Sequence, residues 1–306
     1  MYGQVNRVGR WWREHPLVMS LVAVVVAGLV AGVPLVIAGG HDHPDVAGPA
    51  RPRLDEGLSE RLTVTGSGVP PALSDQVRRD ADDALGYVRG VWDGPWSDHV
   101  VVEIPVDDAG FRARAGRMGA GGEAAIAVTP VPAETGPDGP GAGRVILRRE
   151  VYERLSAQGR QVVLRHELTH FASAAVTGSG TPLWLVEGLA ETVGHAGVPL
   201  ATTRAAAELA ADVRSGWLPD ALPSDAQFSA ADGTILRSYQ EAWLACRLIA
   251  DRLGLGGLIS FYRQVGSGRG DPQSRLDGAF RAFLGTTEAG FVAQWRSYLR
   301  AGLSPS

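Results

Sequence analysis

The fold is decided by one stretch in the middle of the chain, Gln161-Val162-Val163-Leu164-Arg165-His166-Glu167-Leu168-Thr169-His170-Phe171-Ala172. Its apolar residues recur at helical spacing, which predicts a helix. Residues four apart share a face of a helix, so the imidazoles of His166 and His170 can reach one metal ion. Glu167 lies one step round the helix, where it can act on a metal-bound water without ligating the metal. This is the H-E-x-x-H arrangement of a zinc hydrolase.

A second helix is predicted soon after the first. Thr181 is a good N-cap and Pro182 suits the first helical position, so the helix is expected to start here and run through Glu191. Such a helix–turn–helix can return Glu187 to the two histidines as a third ligand. Three protein ligands and one open position define a catalytic zinc site. The alternative is a helix with polar residues near its surface, but the motif and the helix after it agree with each other.

These residues resemble a known group of enzymes. H-E-L-T-H at 166–170 is followed, after residues 171–186, by a glutamate inside W-L-V-E-G-L-A-E at 184–191. This arrangement is similar to the gluzincin zinc metallopeptidases, and more narrowly to their peptidase MA-like branch. The resemblance implies the ligand set and the base directly, with Zn²⁺ held by His166, His170 and Glu187 and with Glu167 as general base.

The resemblance also implies two supporting residues. Glu191, one turn beyond Glu187, corresponds to an acid that holds a ligand histidine by its other ring nitrogen, although a solvated helix residue is the alternative. Tyr239, in an S-Y block, is implied as the donor that stabilises the oxyanion. His195, just past the second helix, is the alternative donor, and simple packing of Tyr239 is the other possibility.

The element pattern and the resemblance together predict an α+β fold. Its N-terminal lobe is expected to combine helices with a mixed or antiparallel sheet, the zinc helix to lie at the centre, and the C-terminal lobe to be all-helical. The expected strands are 61–65, 100–105, 124–128 and 144–147, and the main helices outside the motif are 73–91, 204–213, 239–253, 258–265 and 288–299. In the gluzincin group the edge strand beside the metal helix pairs with an extended peptide, and 124–128 is the candidate, with an ordinary sheet strand as the alternative.

The N-terminus predicts a membrane anchor. Arg7, Arg10 and Arg13 precede an uncharged run at 17–38, which at about 1.5 Å per residue is long enough to cross a hydrocarbon core about 30 Å thick. The arginines indicate that residues 1–16 are cytoplasmic and that the catalytic part lies outside the cytoplasm. A cleaved signal peptide, which would make the protein secreted, is the alternative.

The rest of the chain fits one catalytic domain. Residues 39–54 are rich in Gly, Pro, His and Asp and indicate a linker. Residues 55–302 then form the metallopeptidase domain, divided into 55–175 with the zinc helix and 176–302. A hydrophobic content of 45% is enough for a sizeable core, and a net charge of −4 without a basic patch argues against nucleic acid as a partner. The single cysteine, Cys246, excludes an intrachain disulfide.

The sequence therefore predicts a membrane-anchored, extracytoplasmic zinc metallopeptidase that acts on peptides or proteins. The alternative is an inactive, membrane-tethered binding or regulatory protein that keeps a vestigial metal site. Since the base and all three ligands are present, activity is favoured.

Overall fold

The computed structural model describes residues 61–304, apart from 95, 97–98, 116–126, 129–142, 179, 230–233 and 268–269. Helices make up most of this part of the chain, beside one small sheet. Among these residues, no helix combines the length and apolar character needed to cross a membrane. The predicted N-terminal segments 1–16, 17–38 and 39–54 lie outside the described residues.

The sheet contains four short strands, which are β1 (Leu62–Thr65), β2 (Val100–Glu103), β3 (Ala127–Val128) and β4 (Gly143–Leu147). Their order across the sheet is β1-β2-β4-β3. The first three strands in that order are parallel, with Val102 opposite both Val64 and Val145. Only the two-residue β3 is antiparallel, and it lies at the edge beside β4. Residues 124–126 of the predicted edge strand lie outside the described part.

The predicted α+β fold, in which a sheet-based N-terminal lobe precedes a helical lobe, is wrong. The sheet is small, its three main strands run parallel, and helices dominate the described chain. The connections explain the difference. A helix, α1 (Pro71–Val91), separates β1 from β2, and α2 (Asp108–Ala115) follows β2. Parallel neighbours need long crossovers of this kind, whereas antiparallel neighbours can be joined by tight hairpins.

The helix that carries the H-E-x-x-H motif is buried over most of its length. After the short helix α3 (Arg149–Tyr152) comes α4 (Ala157–Ser173), whose N-cap is Ser156. The side chain of Ser156 accepts a hydrogen bond from the Gly159 amide at 3.1 Å. Every residue of α4 from Val162 onward is buried, including its charged residues. Since buried polar groups require partners, the polar face of α4 needs groups from outside this helix to face it.

The second motif helix, α5 (Leu183–His195), is buried along its whole length between α4 and a long helix, α8 (Ile235–Ser267). Its start differs from the prediction, because Pro182 takes the N-cap position that was expected for Thr181. The amide of Leu183 donates instead to the Asp225 carboxylate, at 2.8 Å, from a 3₁₀ turn (Asp225–Ser229). A residue distant in sequence therefore caps this helix.

The remaining helices pack on α8 and on one another. They are α6 (Thr202–Ala205), α7 (Ala207–Arg214), α9 (Pro272–Leu284) and α10 (Glu288–Leu303). Gly254 has φ 73° and ψ 168°, which bends α8 and accounts for the two separate helices predicted there. The buried apolar residues form one continuous core from Leu62 in β1 to Leu303 in α10.

Candidate metal centre

Helices α4 and α5 bring three ligand atoms together. The Nε2 atoms of His166 and His170 are 2.9 Å apart, and Glu187 Oε2 lies 3.4 Å from each of them. Tetrahedral zinc with bonds of about 2.0–2.1 Å separates its ligand atoms by about 3.3–3.4 Å. The two edges of this triangle that meet at Glu187 match that separation, and the edge between the two histidines is shorter. His166, His170 and Glu187, called the ligand cluster below, therefore lie close enough together to hold one metal ion.

The chemistry of the ligand cluster also fits a cation. His166, His170 and Glu187 are only 0%, 4% and 1% exposed. Within the described part of the chain, neither carboxylate oxygen of Glu187 has a hydrogen-bond partner. A buried carboxylate in that condition carries a large desolvation cost, which a metal ion offsets. Two imidazoles and one carboxylate are donors that suit zinc.

Glu191 supports the cluster from the other side of His166. Its Oε1 lies 3.3 Å from His166 Nδ1, the ring nitrogen that faces away from the other ligands. Its Oε2 lies 3.4 Å from Nε2 of His195, one turn further along α5. A carboxylate at Nδ1 fixes the tautomer and ring orientation of a ligand histidine, so that Nε2 is available for the metal.

These contacts control the charge of the metal-free centre. Burial alone would lower the pKa of His166, but the carboxylates of Glu191 and Glu187 outweigh burial and raise that pKa to about 10. Burial alone would raise the pKa of Glu191, but His166 and His195 outweigh it and lower that pKa to about 2. The pKa of Glu187 is lowered in the same way by His170 and His166. Without metal, the centre therefore holds a proton on His166 at neutral pH.

We expect the metal-free protein to lose stability as the pH rises above about 6.5. The pKa of His166 is raised from 6.5 to about 10 on folding, so its contribution is fully present below pH 6.5 and is lost as the pH rises through 10. The pKa of Glu191 is lowered from 4.5 to about 2, so its contribution is present above pH 4.5 and is lost as the pH falls through 2. Thermal unfolding across the pH range, with a chelator present, measures the loss of stability at high pH and at low pH.

The zinc-loaded protein is the control for this prediction. Zinc requires a neutral imidazole, so raising the pH from about 6 to 8 should strengthen zinc binding while it weakens the metal-free fold. Equal stability of the metal-free protein at pH 6 and pH 9 would contradict the assignment of the proton to His166.

The other predicted site residues are placed differently. Glu167 is fully buried on α4 next to His166. Tyr239 is buried in α8, and its ring packs edge-on against Phe228 with centroids 5.3 Å apart, so its role at the oxyanion stays a prediction. His195 contacts Glu191, which lies at Nδ1 of His166. Its role as the alternative oxyanion donor also stays a prediction.

One residue that holds α4 against its neighbours, Arg165, was not predicted from the sequence. The buried guanidinium of Arg165 lies 3.6 Å from the centre of the Tyr87 ring in α1. Its Nη1 donates to the carbonyl of Ala196 at 2.9 Å, just beyond the end of α5. Arg165 therefore ties α4 to both neighbouring helices. The signal in the sequence was a charged residue inside an apolar-periodic stretch.

No protein-family model, no curated protein and no solved structure matches this chain. The resemblance to gluzincin peptidases therefore rests on the motif residues and their arrangement.

Proposed function

We propose that this chain is a zinc-dependent metallopeptidase that hydrolyses peptide bonds in peptides or proteins. The observation that carries the proposal is the buried ligand cluster, with ligand atoms at 2.9 and 3.4 Å. Glu167, the predicted base, directly follows the first ligand on the same helix. A buried structural site would need a fourth protein ligand, whereas the cluster contains three among the described residues.

Each residue has a defined task in this proposal. Zinc held by the cluster would lower the pKa of a bound water to about 7 and would polarise the scissile carbonyl. Glu167 accepts the proton of the attacking water and donates it to the leaving amine. Glu191 holds His166 by Nδ1. Tyr239 is the proposed hydrogen-bond donor to the oxyanion. The extracytoplasmic location stays a prediction from residues 1–38.

The test is the metal content of the purified full-length chain beside a His170→Ala variant. We expect about one zinc per chain in the parent and little in the variant, because removal of one of three protein ligands leaves the other two unable to hold the ion tightly. Elemental mass spectrometry, after dialysis against a weak chelator, gives the number of zinc ions per chain. Release of peptides from an unfolded protein substrate should follow the zinc content.

A His99→Ala variant is the matched control, since it removes an imidazole whose described hydrogen bond is to Thr63 in β1. It should keep both zinc and activity. Absence of zinc from the reconstituted parent would overturn the proposal, as would equal zinc in the parent and the His170→Ala variant.

A further inference from the structure

We propose that His195 is a positioning residue for the metal centre, which acts on the ligand His166 through Glu191. The inference rests on the proposed zinc site and assigns to His195 a task outside the ligand set. It is carried by the geometry of the Glu191 carboxylate, which two imidazoles share.

Glu191 lies between the two rings. One of its oxygens is 3.3 Å from His166 Nδ1 and the other is 3.4 Å from His195 Nε2. Glu191 and His195 are four residues apart on α5, so they share one face of that helix. In the described part of the chain, neither Glu191 oxygen makes a hydrogen bond within the usual distance and angle limits, so these two ring contacts are its described partners. The carboxylate therefore depends on both rings for its orientation.

His195 is itself held in place. Its ring stacks on Trp243 of α8, with centroids 4.3 Å apart and an interplanar angle of 27°. Only 9% of His195 is exposed. A stacked, buried ring has little rotational freedom, so its Nε2 can fix the carboxylate in one position. The contacts run from Trp243 through His195 and Glu191 to His166, and they link α8 to a metal ligand.

The competing explanation is that His195 only fills space. It borders a small cavity at the end of α5, whose lining includes Thr192, Val198, Leu200 and Arg247. An apolar side chain of similar length would satisfy packing there but would give Glu191 no partner. The chemistry of the side chain, and not its volume, therefore distinguishes the two explanations.

The experiment compares His195→Gln with His195→Met in the full-length chain. Gln and Met have similar length and flexibility, but only Gln can donate a hydrogen bond near the position of Nε2. Zinc affinity is measured by competition with a chromophoric chelator. We expect His195→Met to weaken zinc binding about 10- to 100-fold, the usual effect of losing such outer contacts. The zinc affinity of His195→Gln should stay within about threefold of that of the parent, because the contact to Glu191 is kept.

Two further measurements separate positioning from packing. The visible spectrum of the Co²⁺-substituted protein should change in His195→Met and not in His195→Gln, because the donor strength of His166 changes only in the former. A Leu200→Ala variant alters the same cavity without touching Glu191, and it should leave the spectrum and the affinity unchanged. In a Glu191→Gln background, His195→Met should cause little further loss of zinc affinity, since effects within one network are not additive.

The outcomes are distinct. Equal zinc affinity and equal spectra for the Met variant and the parent would overturn the proposal. If His195→Met fails to fold, a folded His195→Gln variant that has lost zinc affinity would overturn it as well. Failure of the proposed function looks different, because then the parent itself would bind neither Zn²⁺ nor Co²⁺.

Discussion

Replacing Glu167 with Gln should leave zinc bound and slow peptide hydrolysis by about a hundred- to ten-thousand-fold, the usual contribution of a general base. Glu167 is fully buried beside His166 but is not one of the three clustered ligands. The amide keeps the shape of the side chain and cannot accept the proton of the attacking water. The kcat of the zinc-loaded variant on an unfolded protein substrate, measured together with its zinc content, checks the prediction.

Glu241→Gln is the matched control for this variant. Glu241 is also a buried glutamate, 2% exposed, but it forms an ion pair with Arg237, 3.8 Å away in α8, and is not part of the ligand cluster. Its replacement should leave turnover nearly unchanged. A zinc-loaded Glu167→Gln protein with normal turnover would refute the role of Glu167 and with it the proposed mechanism.

Replacing Gly188 with Ala should destabilise the protein and weaken its metal site together. Helices α5 and α8 cross so closely here that a β-carbon would lie 2.4 Å from the backbone oxygen of Ala242 and 2.6 Å from Cys246 Sγ. Because the first of these atoms belongs to the backbone, the helices must move apart. Overpacking of this kind costs about 1–3 kcal/mol, which outweighs the gain of about 0.5–1 kcal/mol in helix propensity.

The expected effect on metal binding follows from the position of Gly188 next to Glu187. A shift of α5 away from α8 moves the ligand carboxylate relative to the two histidines on α4. We expect zinc affinity to fall at least tenfold, as it does when the contacts that orient ligands are lost. Denaturant unfolding of the metal-free protein and zinc competition measure the two effects separately.

Gly278→Ala provides the comparison. Gly278 lies in α9, and a β-carbon there would meet no atom within 4 Å among the described residues. This substitution should stabilise the protein by about 0.5–1 kcal/mol through helix propensity alone. If Gly188→Ala behaved like Gly278→Ala in both measurements, the close crossing of α5 and α8 would not support the site.

The close approach of the residues in the ligand cluster was the most predictable structural feature of this molecule, because its signals are local. The four-residue spacing of His166 and His170 fixes a shared face on any helix. The structure brings Glu187 to the same two histidines and Glu191 to the far side of the first, at the distances given above. A glycine inside a helix directly after a ligand also indicated a close approach, and it could have identified Gly188 from sequence.

The sheet was less predictable, because strand direction depends on contacts between distant segments. Residues 62–65 and 100–103 have short apolar patterns that fit either direction. The helix α1 between them is long enough to connect two parallel strands, and a parallel pair was not predicted. Helix α9 was missed too, although Asp271 accepts a hydrogen bond from the Ser274 amide at its start and Gly285 ends it with φ 62°. Those two signals were present in the sequence.

The complete burial of α5 has a consequence for how long the protein resists proteolysis. Since α5 lies between α4 and α8 along its whole length, a protease can reach it only after those helices separate, and this separation also takes Glu187 away from the two histidines. An ion that binds only the closed form lowers the population of the open form by the factor 1 + [M]/Kd. On the proposed function, that ion is zinc, and the supply of free zinc around the catalytic part would then set the lifetime of the folded chain.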